Sequence, residues 1–290
     1  MKVYLDNAAT TPIDQEVLKT MFSVMENHYG NPSSIHSHGR EVRTLVEKAR
    51  KSVAQILNTA PANIFFTSGG TEADNMAIRC AIEDFGIKHA ITSKIEHHAV
   101  GHTLVHLEQQ GKIKLSYVDV DEKGSINYHH LEELLKDNER SLVSLMHANN
   151  ELGTLTDIEK VGEICEQYNA IFHSDTVQTM GHYEHDLSKL KVHFLVCAAH
   201  KLHGPKGVGF LYVNPSIKIK PMIFGGAQER NMRGGTENVY GIVGLSKALE
   251  MAYADMEHHQ NHIQTLKDYM ITELQKAIPE IGFNGETEAN

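Results

Sequence analysis

Four short segments of this chain carry residue types that suit one kind of chemistry. Lys201 lies in Ala198-Ala199-His200-Lys201-Leu202-His203-Gly204-Pro205-Lys206-Gly207, between the apolar runs Phe194–Cys197 and Val208–Val213. A lysine among glycines and small residues between two strands is readily desolvated, and the lowered pKa that follows is what a Schiff-base lysine requires. Lys206 is the rival, but it sits in a Gly-Pro-Lys-Gly turn, where a solvated tip is the ordinary role. Asp175 follows the run Ala170–His173. An acid at the end of an apolar strand is costly to bury unless it meets a cation, and a protonated pyridine nitrogen is such a cation. The plain alternative is a cap for the next helix.

The other two segments are a phosphate cup and an imidazole. Thr67-Ser68-Gly69-Gly70-Thr71-Glu72 follows Ile64–Phe66 and opens a helix. Its glycines allow a tight turn, and the free N–H groups at a helix start suit a phosphate, with the Thr71 hydroxyl as a further donor. A turn with a Ser or Thr helix cap is the competing reading. His97, in Ser93-Lys94-Ile95-Glu96-His97-His98 after the run Ala90–Thr92, can stack on an aromatic ring and move protons near neutral pH. A single His in such a place is ordinarily polar surface. All four segments fall just after strands, and that conjunction points to pyridoxal 5'-phosphate (PLP), with Lys201 as its covalent anchor and Asp175 against its ring nitrogen.

The elements that must hold these residues alternate. Helical periodicity covers Asp14–Asn27, Gly39–Leu57, Thr71–Phe85, His129–Lys136 and Ile158–Tyr168. Between them lie seven β-like runs: Ile64–Thr67, Ala90–Thr92, Lys114–Val118, Leu142–Met146, Ala170–His173, Phe194–Cys197 and Val208–Val213. The pattern predicts an α/β protein with a mostly parallel sheet covered on both faces, and ligand groups past the carboxyl ends of its strands. Tyr240–Ala277 reads as one long helix with a polar face rich in His, Gln and Lys.

Composition narrows the partners. Apolar residues make up 41% and charged residues 22%, and the formal charge is −10 from 27 basic and 37 acidic side chains, so the surface as a whole repels nucleic acid and anionic membrane. The N-terminus has no basic segment leading into a long apolar one, and no apolar run approaches the roughly 18 residues of a spanning helix. The three cysteines, Cys80, Cys165 and Cys197, are odd in number and widely spaced, which fits buried thiols in a reducing cytoplasm. The 20 histidines include the pairs His97–His98, His129–His130 and His258–His259, but none has acids or cysteines at a repeated ligand spacing, so no metal site is expected.

The same segments carry a resemblance. The chain resembles a cysteine desulfurase of the NifS type, within the class V aminotransferases, from Tyr4-Leu5-Asp6-Asn7-Ala8-Ala9-Thr10-Thr11-Pro12 to Asn284-Gly285. Further matching pieces are Gly30-Asn31-Pro32-Ser33-Ser34, His147-Ala148-Asn149-Asn150-Glu151-Leu152-Gly153, His200-Lys201 and Arg233-Gly234-Gly235-Thr236. The resemblance implies the large domain of PLP-dependent fold type I, with a seven-stranded sheet over 13–256, an N-terminal segment 1–12 contributing to a small domain, and the start of that domain at 257–290. It makes Lys201 the Schiff-base lysine and His97 the ring-stacking base. It puts Asp175 on the pyridine nitrogen, Gln178 on the phenolic oxygen, and Gly70, Thr71 and His200 on the phosphate. Asn150 is implied beside cofactor and substrate carboxylate. Thr236 is implied to reach in from a second subunit, hence a homodimer.

Two departures qualify what the resemblance implies. The family reads Ser-Gly-His-Lys where this chain has Ala198-Ala199-His200-Lys201. One phosphate hydrogen bond worth roughly 1–3 kcal/mol is therefore missing, and weaker cofactor retention is expected. The family's persulfide-forming cysteine and its carboxylate-gripping arginine fall beyond Asn290, so a C-terminally incomplete chain is implied. The expected reaction of the family turns L-cysteine into alanine and an enzyme persulfide, for iron–sulfur cluster or thio-cofactor assembly with an acceptor or scaffold protein. A related PLP aminotransferase or lyase, and a non-catalytic PLP-binding relative, are the competing readings.

Overall fold

The structure is a computed structural model, and it describes residues 2–138 and 140–287. Met1 of the expected 1–12 segment and residues 288–290 of the expected 257–290 unit lie outside the described residues.

In chain order the elements are α1 (Gln15–Asn27), α2 (Ser37–Ile56), β1 (Ile64–Thr67), α3 (Gly70–Phe85), β2 (His89–Thr92), α4 (His98–Gln109) and β3 (Lys114–Tyr117). There follow α5 (Tyr128–Lys136), β4 (Ser141–Ser144), α6 (Ile158–Gln167), β5 (Ile171–Asp175), β6 (Phe194–Ala198), β7 (Gly209–Val213), α7 (Val239–Ala254) and α8 (Met256–Ala277). The strands form one seven-stranded sheet in the order β1-β7-β6-β5-β4-β2-β3. Neighbours from β3 to β6 are parallel, and β7 runs antiparallel to both β6 and β1. The mostly parallel sheet with helices on both faces is thus what the sequence predicts.

The period-two geometry of a strand sends alternate residues to opposite layers. Leu195 and Cys197 of β6 pack with Val17, Val42 and Leu245 from α1, α2 and α7. Phe194 and Val196 of the same strand pack with Met76 and Leu104 from α3 and α4. Both faces of the central strands are therefore dry, which is why their sequences are continuous apolar runs. Only β3, at the sheet edge, mixes buried and exposed residues.

Three local readings are corrected. The segment expected as one helix over Tyr240–Ala277 is two, because Asp255 leaves helical geometry at φ −123° and ψ 21°. The segment after His97 forms α4, which its histidines and Gly101 hide in the sequence but whose Val100, Leu104 and Leu107 are buried at helical spacing. Asp175 is the last residue of β5 rather than part of the loop after it.

Candidate functional site

The carboxyl ends of β2, β4, β5 and β6 lie along one edge of the sheet, with the end of β1 beside them because β7 reverses between β1 and β6. A cavity of about 200 Å³ opens there, and Gly70, Thr71, His97, Asn150, Asp175, Gln178, His200 and Lys201 all line it. Eight residues from five segments of sequence thus meet at one place.

Gly69 and Gly70 build one end. Gly69 has φ +151°, a conformation that L side chains rarely adopt, and it turns the chain sharply from β1 into α3. A Cβ at Gly70 would stand 2.9 Å from Val177 Cγ2, so the helix start approaches the β5 loop only with glycine there. No side chain caps this helix end, so its N–H groups and the positive end of its dipole face the cavity with Thr71 and His200 alongside. Nδ1 of His200 pairs with the Thr10 hydroxyl at 3.1 Å. Burial, then Lys201 and Lys206, push the His200 pKa down. This end suits an anion.

Asp175 builds the other end. It is 5% exposed, and its Oδ1 accepts from the Val177 N–H at 2.9 Å. Burial, followed by repulsion from Asp74, pushes its pKa up to about 7, against the pull of that N–H group, His173 and His97. A carboxyl in this state is short of positive charge, and a cation arriving in the cavity would restore its ionisation. Asp74 lines the same cavity at 1% exposure, a residue that the sequence did not single out. Its position four residues after Gly70 on α3 was the available signal, since that spacing repeats a helix face.

Lys201 stands in the one-turn 3-10 helix after β6, half-buried, with its Nζ donating to the Ala8 carbonyl. Burial pulls its pKa below the ordinary lysine value, opposed by Asp175, Asp6 and Glu151. Gln178 donates to the same carbonyl at 3.0 Å. His97 caps α4, with its Nδ1 accepting from the Ala99 N–H at 3.1 Å. The loop that carries it is tied to the loop after β4: Glu96 Oε1 accepts from the Met146 N–H at 3.0 Å, and Asn149 donates to the Ile95 carbonyl at 2.7 Å.

Thr236 is the exception. It is exposed and lines a second, smaller cavity with Arg233 and Asn238, not the cavity of Lys201. The loop before it is held by a buried ion pair, in which Arg50 donates from Nη1 and Nη2 to the two oxygens of Glu229 at 2.7 and 2.8 Å. The three cysteines are buried free thiols, and none lines the Lys201 cavity. Burial pushes Cys80 up to about 12 and raises Cys165 and Cys197 further, so all three stay protonated and unreactive near neutral pH.

The donor set fits a group with an anionic end, a flat ring and a cationic ring nitrogen. The uncapped glycine-built helix start meets the first, the slot beside His97 the second, and the charge-starved Asp175 the third.

Comparison with known proteins agrees with that geometry. The family model described as aminotransferase class-V matches residues 3–290. The chain is 45% identical over 287 residues to the cysteine desulfurase IscS of Dictyoglomus turgidum, covering 98% of this chain and 72% of that one. Its fold matches a solved NifS-like protein with a TM-score of 0.92 at 41% identity, covering 95% of this chain and 76% of the other. A structure of SspA in complex with cysteine matches with a TM-score of 0.81 at 35% identity, over 86% of this chain and 72% of that one. The chain belongs to the class-V aminotransferase family, among the cysteine desulfurases of the NifS and IscS type.

Proposed function

We propose that the cavity binds PLP with Lys201 as its covalent anchor and that the protein acts on L-cysteine, breaking its carbon–sulfur bond to leave alanine. The observation that carries this reading is the convergence of Lys201, Asp175, His97 and the Gly69–Thr71 helix start on one cavity. Bound PLP supplies an electron sink that lets an amino acid lose a proton at Cα and weakens its bond at Cβ.

The chain's own residues do the rest. Gly70, Thr71 and His200 hold the phosphate, and Asp175 keeps the ring nitrogen protonated by offering a carboxylate at the closed end of the pocket. Gln178 and Asn150 orient the ring's oxygen side and the substrate carboxylate. Burial leaves Lys201 closer to the free amine that covalent attachment needs. Once an amino acid displaces it, Lys201 takes the Cα proton at Nζ. In neutral His97 the Nδ1 lone pair is used on the Ala99 N–H, so the proton sits on Nε2. His97 therefore gives a proton at Nε2 before it takes one back.

The sulfur leaves to a thiolate acceptor that is none of Cys80, Cys165 and Cys197, whose buried, protonated thiols are apart from the cavity. Thr236 serves the phosphate of a second copy, a role supported by its exposure and by its lining a cavity other than that of Lys201, and the acting unit is a homodimer.

The test is Cα–H exchange of L-alanine in heavy water with the PLP-loaded chain, followed by NMR. Exchange that is lost in Lys201→Ala is expected, and it needs no acceptor thiol. A loaded chain that exchanges no Cα proton contradicts the reading, as does labelled sulfur from cysteine on Cys80, Cys165 or Cys197.

A further inference from the structure

We propose that Asp74 is a second acid of the pocket floor, a positioning residue whose carboxyl stands beside Asp175 and holds the pair to a single negative charge. The inference rests on the PLP reading only for the group that Asp175 faces; the rest is the geometry of this chain.

Asp74 lies one turn beyond Gly70 on α3, the helix whose start forms the anion end, and it lines the same cavity. Asp74, Asp175 and His97 each offer an atom there, and these atoms all lie within 4.8 Å of one another. Asp74 is 1% exposed and Asp175 5%. Two carboxyls that close and that dry do not both ionise, so one keeps its proton and the pair titrates as a unit.

The groups facing the pair do not change this. His173, two residues before Asp175 on the same face of β5, brings Nε2 to 3.2 Å from Asp74 Oδ1. Neither atom has a hydrogen-bond partner among the described residues, because the approach is badly angled. Burial pushes His173 down to about 4, so it offers no positive charge at neutral pH. Glu96 is itself pushed up by burial to about 8, and the Cys197 thiol is held protonated by burial and by Asp175. Lys201 faces Asp175, and His97 completes the set. Burial raises Asp74 well above the usual carboxylate range with no group pulling it back, whereas the Val177 N–H, His173 and His97 all pull Asp175 down. The shared proton therefore rests on Asp74 and leaves Asp175 to ionise when a cation arrives.

Infrared spectroscopy of the chain with carbon-13-labelled aspartate tests the pair without any cofactor, and the label separates it from Glu96. At mildly alkaline pH, above the titration of Asp175, the native chain is expected to show the carbonyl stretch of a protonated aspartic acid, absent in Asp74→Asn. No such stretch in the native chain, or an unchanged one in the variant, overturns the proposal; the native arm stands even if the variant does not fold. A second arm follows PLP affinity against pH. The native chain loses affinity as pH falls through about 7, where Asp175 takes up a proton. Because Asp74 carries the proton, Asp74→Asn removes no charge, and the midpoint is expected to stay within about half a unit of the native one. A midpoint that falls by about a unit or more would show that Asp74 is ionised beside Asp175 and overturns the proposal. Tight Zn²⁺ binding lost in Asp74→Asn also overturns the proposal, since a metal would need both carboxylates ionised. Failure to bind PLP at all would sink the functional reading and leave the infrared arm to decide on the pair.

Discussion

Lys201 donates its Nζ to the main-chain carbonyl of Ala8, 193 positions earlier in the chain. The N-terminal segment thus lies directly over the lysine proposed to anchor the cofactor. It is held there by Thr11, whose N–H and hydroxyl both donate to the His200 carbonyl at 2.9 Å and whose hydroxyl accepts from the His203 N–H at 2.8 Å. Thr11 is 6% exposed, so these bonds are made out of water.

Thr11→Val keeps the shape of that anchor and removes both hydroxyl bonds, leaving the His203 N–H without a partner. A loss of about 1–3 kcal/mol is expected in urea unfolding. The freed segment also uncovers Lys201, so its amine should modify faster with an acylating reagent. A variant as stable as the native chain would show that the segment is not pinned this way.

The alanine at position 198 has a measurable consequence. Ala198 lines the cavity at 2% exposure, at the end of β6 three residues before Lys201. Ala198→Ser places a hydroxyl at the anion end and should slow PLP loss on dialysis, by roughly 1–3 kcal/mol of retention if the bond to phosphate is charge-assisted. Equal retention in the two chains would remove the phosphate from this end of the pocket.

The pH dependence of the cofactor-free chain follows from three acids and several histidines. Asp175 and Glu96 have folded pKa values raised to about 7 and about 8, and burial raises Asp74 well above the usual carboxylate range, so each gives stability that is present at low pH and lost as pH rises through its folded value. His147, His173 and His193, lowered to about 4, and His185, lowered to about 3, do the opposite: their stability is present above the ordinary histidine value of 6.5 and lost as pH falls. Above 6.5 only the acids act. Stability should therefore fall between pH 6.5 and about 8, by at most about 1.4 kcal/mol per unit for each acid. Glu96→Gln should flatten the upper half of that slope in thermal melts, and an unchanged slope would show that Glu96 is ionised throughout.

Much of this was legible in the sequence, and the misses share a cause. The strands could be read because both faces of the sheet are covered, which makes β5 and β6 unbroken apolar runs. Lys201, Asp175 and Gly70 could be read because parallel strands deliver their ends to one edge. Asp74 was missed because an acid inside an amphipathic helix looks like solvent-facing polarity. It is buried here because α3 packs that face against β5, a contact no local pattern announces. The cover of Ala8 over Lys201 is a pairing across nearly the whole chain and is silent for the same reason. The break at Asp255 was missed because the next helix is equally good helical sequence; α8 has no buried residue to fix its direction.

The loop that carries Thr236 depends on a buried pair. Glu229, Arg230 and Asn231 all have positive φ, at 45°, 57° and 66°, an unfavourable run for residues other than glycine. What holds it is Glu229, 4% exposed, which accepts from both Arg50 nitrogens and from the Phe66 N–H at 2.8 Å. Glu229→Gln leaves the buried Arg50 charge with only the half-exposed Glu47, whose Oε1 accepts from Nε at 3.1 Å, and should cost about 3–5 kcal/mol in chemical unfolding. The loop should also become a site of rapid proteolysis. A cost below 1 kcal/mol would show that the pair is not what holds the loop.

The proposed attachment of the cofactor at Lys201 is open to direct test. The chain loaded with PLP, reduced with borohydride and digested, should carry the pyridoxyl mass on the peptide containing Lys201, with none in Lys201→Ala and an unchanged yield in Lys206→Ala. A pyridoxyl group on Lys206, or retained in Lys201→Ala, would contradict the assignment of this site.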